Sequence, residues 1–288
     1  MSSVPGHAGP PQDGSGPHGE SAEQRGLRPQ DGFPRPDKSG LQAAAAAERG
    51  LVVSELSKSF AGVQALSEVS LEVPPAGVVG LIGPNGSGKT TLLNCISGIL
   101  TPDSGSVTVR GVPVTGRPEY VCSARGIART FQNLRLFTSL SVEENLLIGG
   151  HLNGTLWHPL RRARHRRELA AELMDLLELT ALAEAVAGSL AYGVQRRVEI
   201  ARALMGSPAV LLLDEPAAGM NDVEAGRIVT VLRELARRGL AVLLVEHNMT
   251  VVTSVSDTVF ALDAGVELAK GKPTDVMVDP GVVRAYLG

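Results

Sequence analysis

Only two of the 288 residues are cysteine, Cys95 and Cys122. Two thiols are too few for a disulfide framework, so the chain reads as one made for a reducing compartment, with each thiol serving as a small buried apolar side chain. Charge of one sign is lacking as well. The 27 Lys and Arg stand against 30 Asp and Glu, a balance that offers no basic field for nucleic acid or anionic lipid. No apolar run approaches the roughly 20 residues that span a bilayer. The N-terminus has no basic cap followed by an apolar stretch, so it is not a secretion signal. Any membrane role would therefore run through a partner.

The chain does have plenty of glycine and proline, and they are unevenly spread. Sixteen of the first fifty residues are Gly or Pro. A segment of that composition buries too little apolar surface to offset its ordering entropy, so residues 1–46 are expected to be disordered. Residues 47–288 read as a single α/β domain. Short β-rich runs at 51–53, 69–73 and 78–82 lead into a Gly-rich turn and a helix. "GSVTVRG" and "GIARTFQ" add strands, and "VFALDAGVELAKG" reads as a hairpin turning at Asp263–Gly265. Helical periodicity dominates 137–207, whereas "AVLLLDEP" and "LAVLLVEH" are the continuous apolar runs of parallel strands covered on both faces. The expected organisation is a core made of about 47–136 and 208–288, interrupted by a helical subdomain at about 137–207. The basic run "RRARHRR" at 161–167 reads as a solvated helix face, and Trp157 as a local packing anchor.

Gly83, Pro84, Asn85, Gly86, Ser87, Gly88, Lys89 and Thr90 match G-x-x-x-x-G-K-[ST], with an apolar strand before them and an amphipathic helix, opening on Thr91, after. Such glycines let backbone N–H groups converge on phosphate oxygens, and the helix N-terminus adds a favourable dipole. Lys89 supplies a charge for the β- and γ-phosphates, and the Thr90 hydroxyl a ligand for Mg²⁺. Asp214 then stands at the carboxyl end of a buried strand, where open α/β sheets hold ligands. It can hold a magnesium shell, while Glu215, pointing elsewhere, can polarise a water for attack on the γ-phosphate.

A third stretch, "LAYGVQRRVEIARALM" at 190–205, carries a glycine at the mouth of a helix and two arginines just inside it. Its apolar positions Val194, Val198, Ala201 and Leu204 or Met205 share one face, and its N-terminus suggests an anion site.

With Gln132 in "RTFQN" and His247 in "LLVEHNM", these residues resemble the ATP-binding subunits of ABC transporters. "GIARTFQNLRLFTSLSVEENLLIG", "LAYGVQRRVEIARAL", "LLLDEPAAGMN" and the terminal "VVRAYLG" look more narrowly like one ATPase subunit of branched-chain amino-acid importers. The resemblance runs from about residue 50 to the end. It implies a P-loop NTPase with a RecA-like core, a β-rich N-terminal subdomain and an inserted helical subdomain. It also implies roles: Phe60 on the adenine; residues 83–91 on the phosphates; Thr90, Gln132 and Asp214 around Mg²⁺; Glu215 as base; His247 on the γ-phosphate. The "AAGMN" loop at 217–221 would face a partner ATPase. Leu190, Ala191, Tyr192, Gly193 and Val194 would form the signature turn that completes the partner's ATP site.

Implied partners are a sister ATPase or a second copy of this chain, two transmembrane permeases, and indirectly an extracytoplasmic solute-binding protein. No nucleic acid is implied, and the expected place is the cytoplasmic face of the membrane, peripheral through the permeases. A urea or amide importer subunit is a rival within the family. A soluble ABC ATPase of translation or repair is a rival outside it, and a nucleotide-binding subunit with little hydrolysis is a third. Val194 stands where the subgroup keeps Gln, which removes a donor and acceptor beside the partner's nucleotide and is expected to weaken that site alone.

Overall fold

The computed structural model describes residues 50–150 and 159–287. The Gly- and Pro-rich N-terminal segment and Trp157 lie outside the described residues.

Strand β1 (Leu51–Phe60) and β2 (Val63–Val73) form an antiparallel hairpin. With β4 (Ser104–Val109) and β5 (Val112–Pro113) they make a four-stranded sheet in the order β2-β1-β4-β5. Leu66, Val69, Leu71 and Val73 of β2 are buried while the polar residues between them face out, the alternation of a half-covered strand. Both long strands extend well past the apolar runs that announced them. Register shifts between Val53 and Leu56 and between Leu56 and Lys58 bring Leu56 inward, so the polar stretch from Ser54 to Ser59 stays paired.

The second sheet has six strands: β3 (Val78–Ile82), β6 (Ile127–Arg129), β7 (Val210–Asp214), β8 (Ala241–Val245), β9 (Thr258–Asp263) and β10 (Val266–Gly271). Their order is β10-β9-β3-β8-β7-β6, all parallel except β10, which returns from β9 as a hairpin. Every residue of β3, β7 and β8 is buried. The reason shows in β7. Val210 and Leu212 join the core shared with the four-stranded sheet and helix α1 (Lys89–Ile96), while Leu211 and Leu213 join a second core made with helices of the other face. Helix α2 (Glu119–Ala124) precedes β6.

Between β6 and β7 the chain is helical: α3 (Val142–Gly149), α4 (Pro159–Leu176) and α5 (Tyr192–Leu204). Ser141 and Glu144 close a reciprocal capping box at the head of α3. Val198, Ala201 and Leu204 of α5 face the core at helical spacing, and Val194 packs on the same cluster. In α4, Arg164, His165 and Arg167 are exposed, and Arg164 pairs with Glu168 at 2.8 Å. Helix α6 (Asp222–Arg237) starts from an Asn221–Glu224 capping box and buries Ala225, Ile228, Val231, Leu232, Leu235 and Ala236. Helices α7 (Met249–Val255), α8 (Pro273–Val276) and α9 (Pro280–Leu287) complete the chain's described part. No helix among the described residues is long and apolar enough to cross a membrane.

Candidate active site

The site is built where β3, β7 and β8 end. After Ile82 the chain turns through Gly83–Gly88 and enters α1 at Lys89. Gly88 has φ +106°, and a Cβ there would lie 2.6 Å from the Ala65 carbonyl oxygen, so both conformation and space demand glycine. Lys89 is buried, its Nζ donating to the Gly83 and Pro84 carbonyls at 2.8 Å each. Burial pulls its pKa below the ordinary lysine value, against the opposing pull of Glu215 and Asp214. The ammonium is thus held over the loop with two carboxylates near it.

Asp214 closes β7, and burial raises its pKa while the guanidinium of Arg129 opposes the rise. Arg129, from the end of β6, reaches Asp214 Oδ2 at 3.4 Å and also donates to Asn94 Oδ1 at 2.7 Å and Ser97 Oγ at 3.0 Å on α1. One buried cation therefore ties the phosphate-loop helix to the carboxylate strand. Glu215 follows with φ +50°, a left-handed backbone for a non-glycine residue that turns its side chain off the strand. Its amide donates to the Val245 carbonyl at 2.9 Å. The Glu215 carboxylate is gripped from both sides: Gln132 Nε2 donates to Oε2 at 3.0 Å, and His247 Nε2 lies 2.7 Å from Oε1. Behind His247, the buried carboxylate of Glu246 accepts from the amides of Ala217 (2.7 Å), His247 (3.1 Å) and Asn248 (3.3 Å). The loops after β7 and β8 consequently share one anchor.

A cavity of about 260 Å³ opens over this constellation, walled by Asn85–Thr91, Gln132, Asp214, Glu215 and His247. Phe60 is absent from that wall; it stands half-exposed at the end of β1, with Lys58 Nζ 5.6 Å from its ring centre. The 190–194 turn is absent too. Ala191 and Tyr192 are exposed at the head of α5, Gly193 is buried against Glu224, and Leu190 and Val194 pack on the helical core. The two arginines just inside that turn point into the protein rather than to an open anion site, and their carboxylate partners are Glu199 and Glu178. Arg196 and Arg197 are buried, and they donate to backbone carbonyls of residues 131, 132 and 177.

Sequence reasoning missed Arg129, Glu246 and Tyr286, and it read Arg196 as part of an anion site where the structure gives it backbone carbonyls. The Tyr286 hydroxyl, on α9, accepts from the Gly83 amide at 2.7 Å. Lone charges inside "GIARTFQ" and "LLVEHNM" were the only available signals for Arg129 and Glu246. For metal, Thr90, Gln132 and Asp214 offer oxygen donors to one wall, the set a hard cation takes. Among the described residues no group of three or more His, Cys, Asp or Glu converges, so these three offer a few oxygens on one wall and not a protein cage.

The family model described as ABC transporter matches residues 66–218. The chain is 41% identical over 248 residues to the high-affinity branched-chain amino acid transport ATP-binding protein BraF of Pseudomonas aeruginosa, covering 83% of this chain and 97% of that one. It is similar to the crystal structure of the ADP conformation of MJ1267, an ATP-binding cassette of an ABC transporter, with TM-score 0.75 and 34% identity over 83% of this chain and 99% of that one. A dimeric post-hydrolysis structure of the ATP-binding cassette MJ0796, bound to ADP and Pi, matches with TM-score 0.67 and 25% identity over 77% and 98% of the two chains.

Proposed function

The chain belongs to the ABC transporter ATPase family, and we propose that it is the subunit that couples ATP hydrolysis to the import of branched-chain amino acids. Hydrolysis of ATP is the family's chemistry, and the observation that supports it here is the doubly gripped Glu215 facing the phosphate loop. The amino-acid reading is supported by a likeness that runs along nearly the whole of BraF.

Phosphoryl transfer to water is mostly positioning and neutralisation of charge. In this reading the amides of Gly86–Thr91 and the Lys89 ammonium hold the β- and γ-phosphates, and Phe60 stacks on the adenine. Thr90, Gln132 and Asp214 hold Mg²⁺, which neutralises phosphate charge when bound. Glu215 takes a proton from the attacking water, its carboxylate oriented by Gln132 and His247, and His247 contacts the γ-phosphate. A placed base of this kind contributes about 10²–10⁴-fold. The turn at Leu190–Val194, exposed at Ala191 and Tyr192, completes the site of a partner ATPase, and 217–221 forms the loop facing it. Residues 137–207 act as the helical subdomain that meets two permeases at the cytoplasmic face of the membrane.

The test is uptake of labelled leucine in cells lacking the gene, then restored with the wild type or Glu215→Gln. Deletion should abolish high-affinity uptake and Glu215→Gln should fail to restore it. Unchanged uptake on deletion would remove the amino-acid reading, and full ATP turnover by Glu215→Gln in the assembled complex would remove the base assignment.

A further inference from the structure

The segment from Phe131 to Arg135, which carries Gln132, has no strand or helix hydrogen bonds of its own to fix it. It is held from α5 instead. Arg196, on α5, is 0% exposed, and its Nη1 donates to the Phe131 carbonyl at 2.7 Å and to Glu199 Oε2 at 2.6 Å. Its Nη2 donates to the Gln132 carbonyl at 2.7 Å and to the Tyr192 hydroxyl at 2.9 Å. The other oxygen of Glu199 accepts from the Arg135 amide at 3.1 Å. Three backbone groups of the segment are therefore pinned by one buried ion pair, at both flanks of Gln132.

Apolar side chains of similar volume would stabilise such a place as well or better, because burying two charges costs several kcal/mol each before they attract one another. What the pair supplies that apolar packing cannot is direction. A planar guanidinium fixes two carbonyls in one plane and carries the segment with α5 as one body. Moving the segment away from α5 would strand two buried charges, which the interior penalises heavily. The side chain of Gln132 carries that segment's hydrogen bond to Glu215, at 3.0 Å.

We infer that Arg196 and Glu199 are positioning residues for hydrolysis: they hold Gln132 so that its amide orients the Glu215 carboxylate, although neither touches the cavity. Tyr192 extends the same unit to the exposed head of α5, so a displacement there reaches Glu215 through Arg196 and Gln132. This rests on the assignment of Gln132 and Glu215 given above.

The test is a double-mutant cycle of ATP turnover in the assembled complex, combining Arg196→Lys with Gln132→Ala. Lysine keeps the charge but cannot bridge the two carbonyls. Arg196→Lys alone should lower kcat by roughly ten- to a hundredfold, the scale of a displaced catalytic contact, with KM for ATP within about twofold. In the Gln132→Ala background it should cost nothing further, because the group it positions is gone. Equal losses in both backgrounds, or a change confined to KM, would overturn the inference and leave the site assignment standing. Unchanged kcat in Gln132→Ala alone would bring down the assignment and the inference with it. Should Arg196→Lys fail to fold, Tyr192→Phe removes a single hydroxyl and runs through the same cycle, with a smaller kcat loss that must likewise vanish beside Gln132→Ala.

Discussion

Replacing Arg129 by methionine removes the cation between the phosphate-loop helix and the Asp214 strand. Its side chain is 6% exposed and that of Asp214 9%, so neither can turn to bulk water when the other is lost. Removing one partner of a buried pair costs about 3–5 kcal/mol. The Asp214 contact is long at 3.4 Å, and the shorter bonds go to Asn94 and Ser97, neutral groups whose loss of a donor strands no charge. The lower end applies, about 3 kcal/mol, which lowers Tm by roughly 6–12 °C at about 2–4 °C per kcal/mol for a domain of this size. The loss has a pH signature. The pKa of Asp214 is already raised by burial, so the folded state binds more protons than the unfolded one as pH rises past the ordinary carboxylate range, and stability falls there. Without Arg129 that pKa rises further, so the deficit against wild type should widen as pH climbs above the ordinary carboxylate range and shrink on acidification. Urea unfolding at pH 5, 6.5 and 8, followed by circular dichroism, reads both numbers. A loss below about 1 kcal/mol, the scale of an exposed pair, or a deficit that does not change with pH, would refute the reasoning.

Burial pushes the Cys95 thiol up to about 11. Iodoacetamide at pH 8 should therefore modify it only after unfolding, and stability should fall as pH climbs from the ordinary thiol range through about 11; rapid labelling of the folded protein would contradict this. Tyr286→Phe removes the acceptor of the Gly83 amide. A lost hydrogen bond worth about 1 kcal/mol should raise KM for ATP by up to about fivefold with kcat little changed, and an unaltered KM would detach α9 from the phosphate loop. Val194→Gln places a donor and acceptor at the half-buried head of α5. Turnover should rise at the site completed by the 190–194 turn and stay constant at this chain's own phosphate loop, and single-site measurements showing no rise would retire the effect of Val194.

The phosphate loop and the carboxylate pair were legible because their chemistry is written locally, as spacing around strand ends, whereas the role of His247 came only with the family resemblance. Gly88 needs no distant partner to be recognised, since its φ of +106° belongs to the loop itself. The residues that hold the site together were hidden for the opposite reason. Gly83 and Tyr286 are 203 residues apart, Arg129 and Asp214 85, and Arg196 and Gln132 64. A buried arginine looks in sequence like any helix-face cation, and the two inside "YGVQRR" read as anion ligands until their carbonyl partners were visible. Strand lengths were understated in the first sheet because its register shifts admit polar residues that periodicity assigns to loops.

Strand β3, which delivers the phosphate loop, lies between β8 and β9: Val78 faces Val242 and Val79 faces Thr258. On a ribosome the glycine loop emerges early and must wait for both flanking strands, synthesised long after it. At about 5–20 residues per second that wait is on the order of ten to thirty seconds. Throughout it the apolar run "VVGLI" is without its neighbours, a ready surface for chaperones and for wrong pairings. Competence to bind nucleotide is thus among the last properties the nascent chain acquires, and a product cut short before β9 would carry the whole phosphate motif and still lack its folded frame.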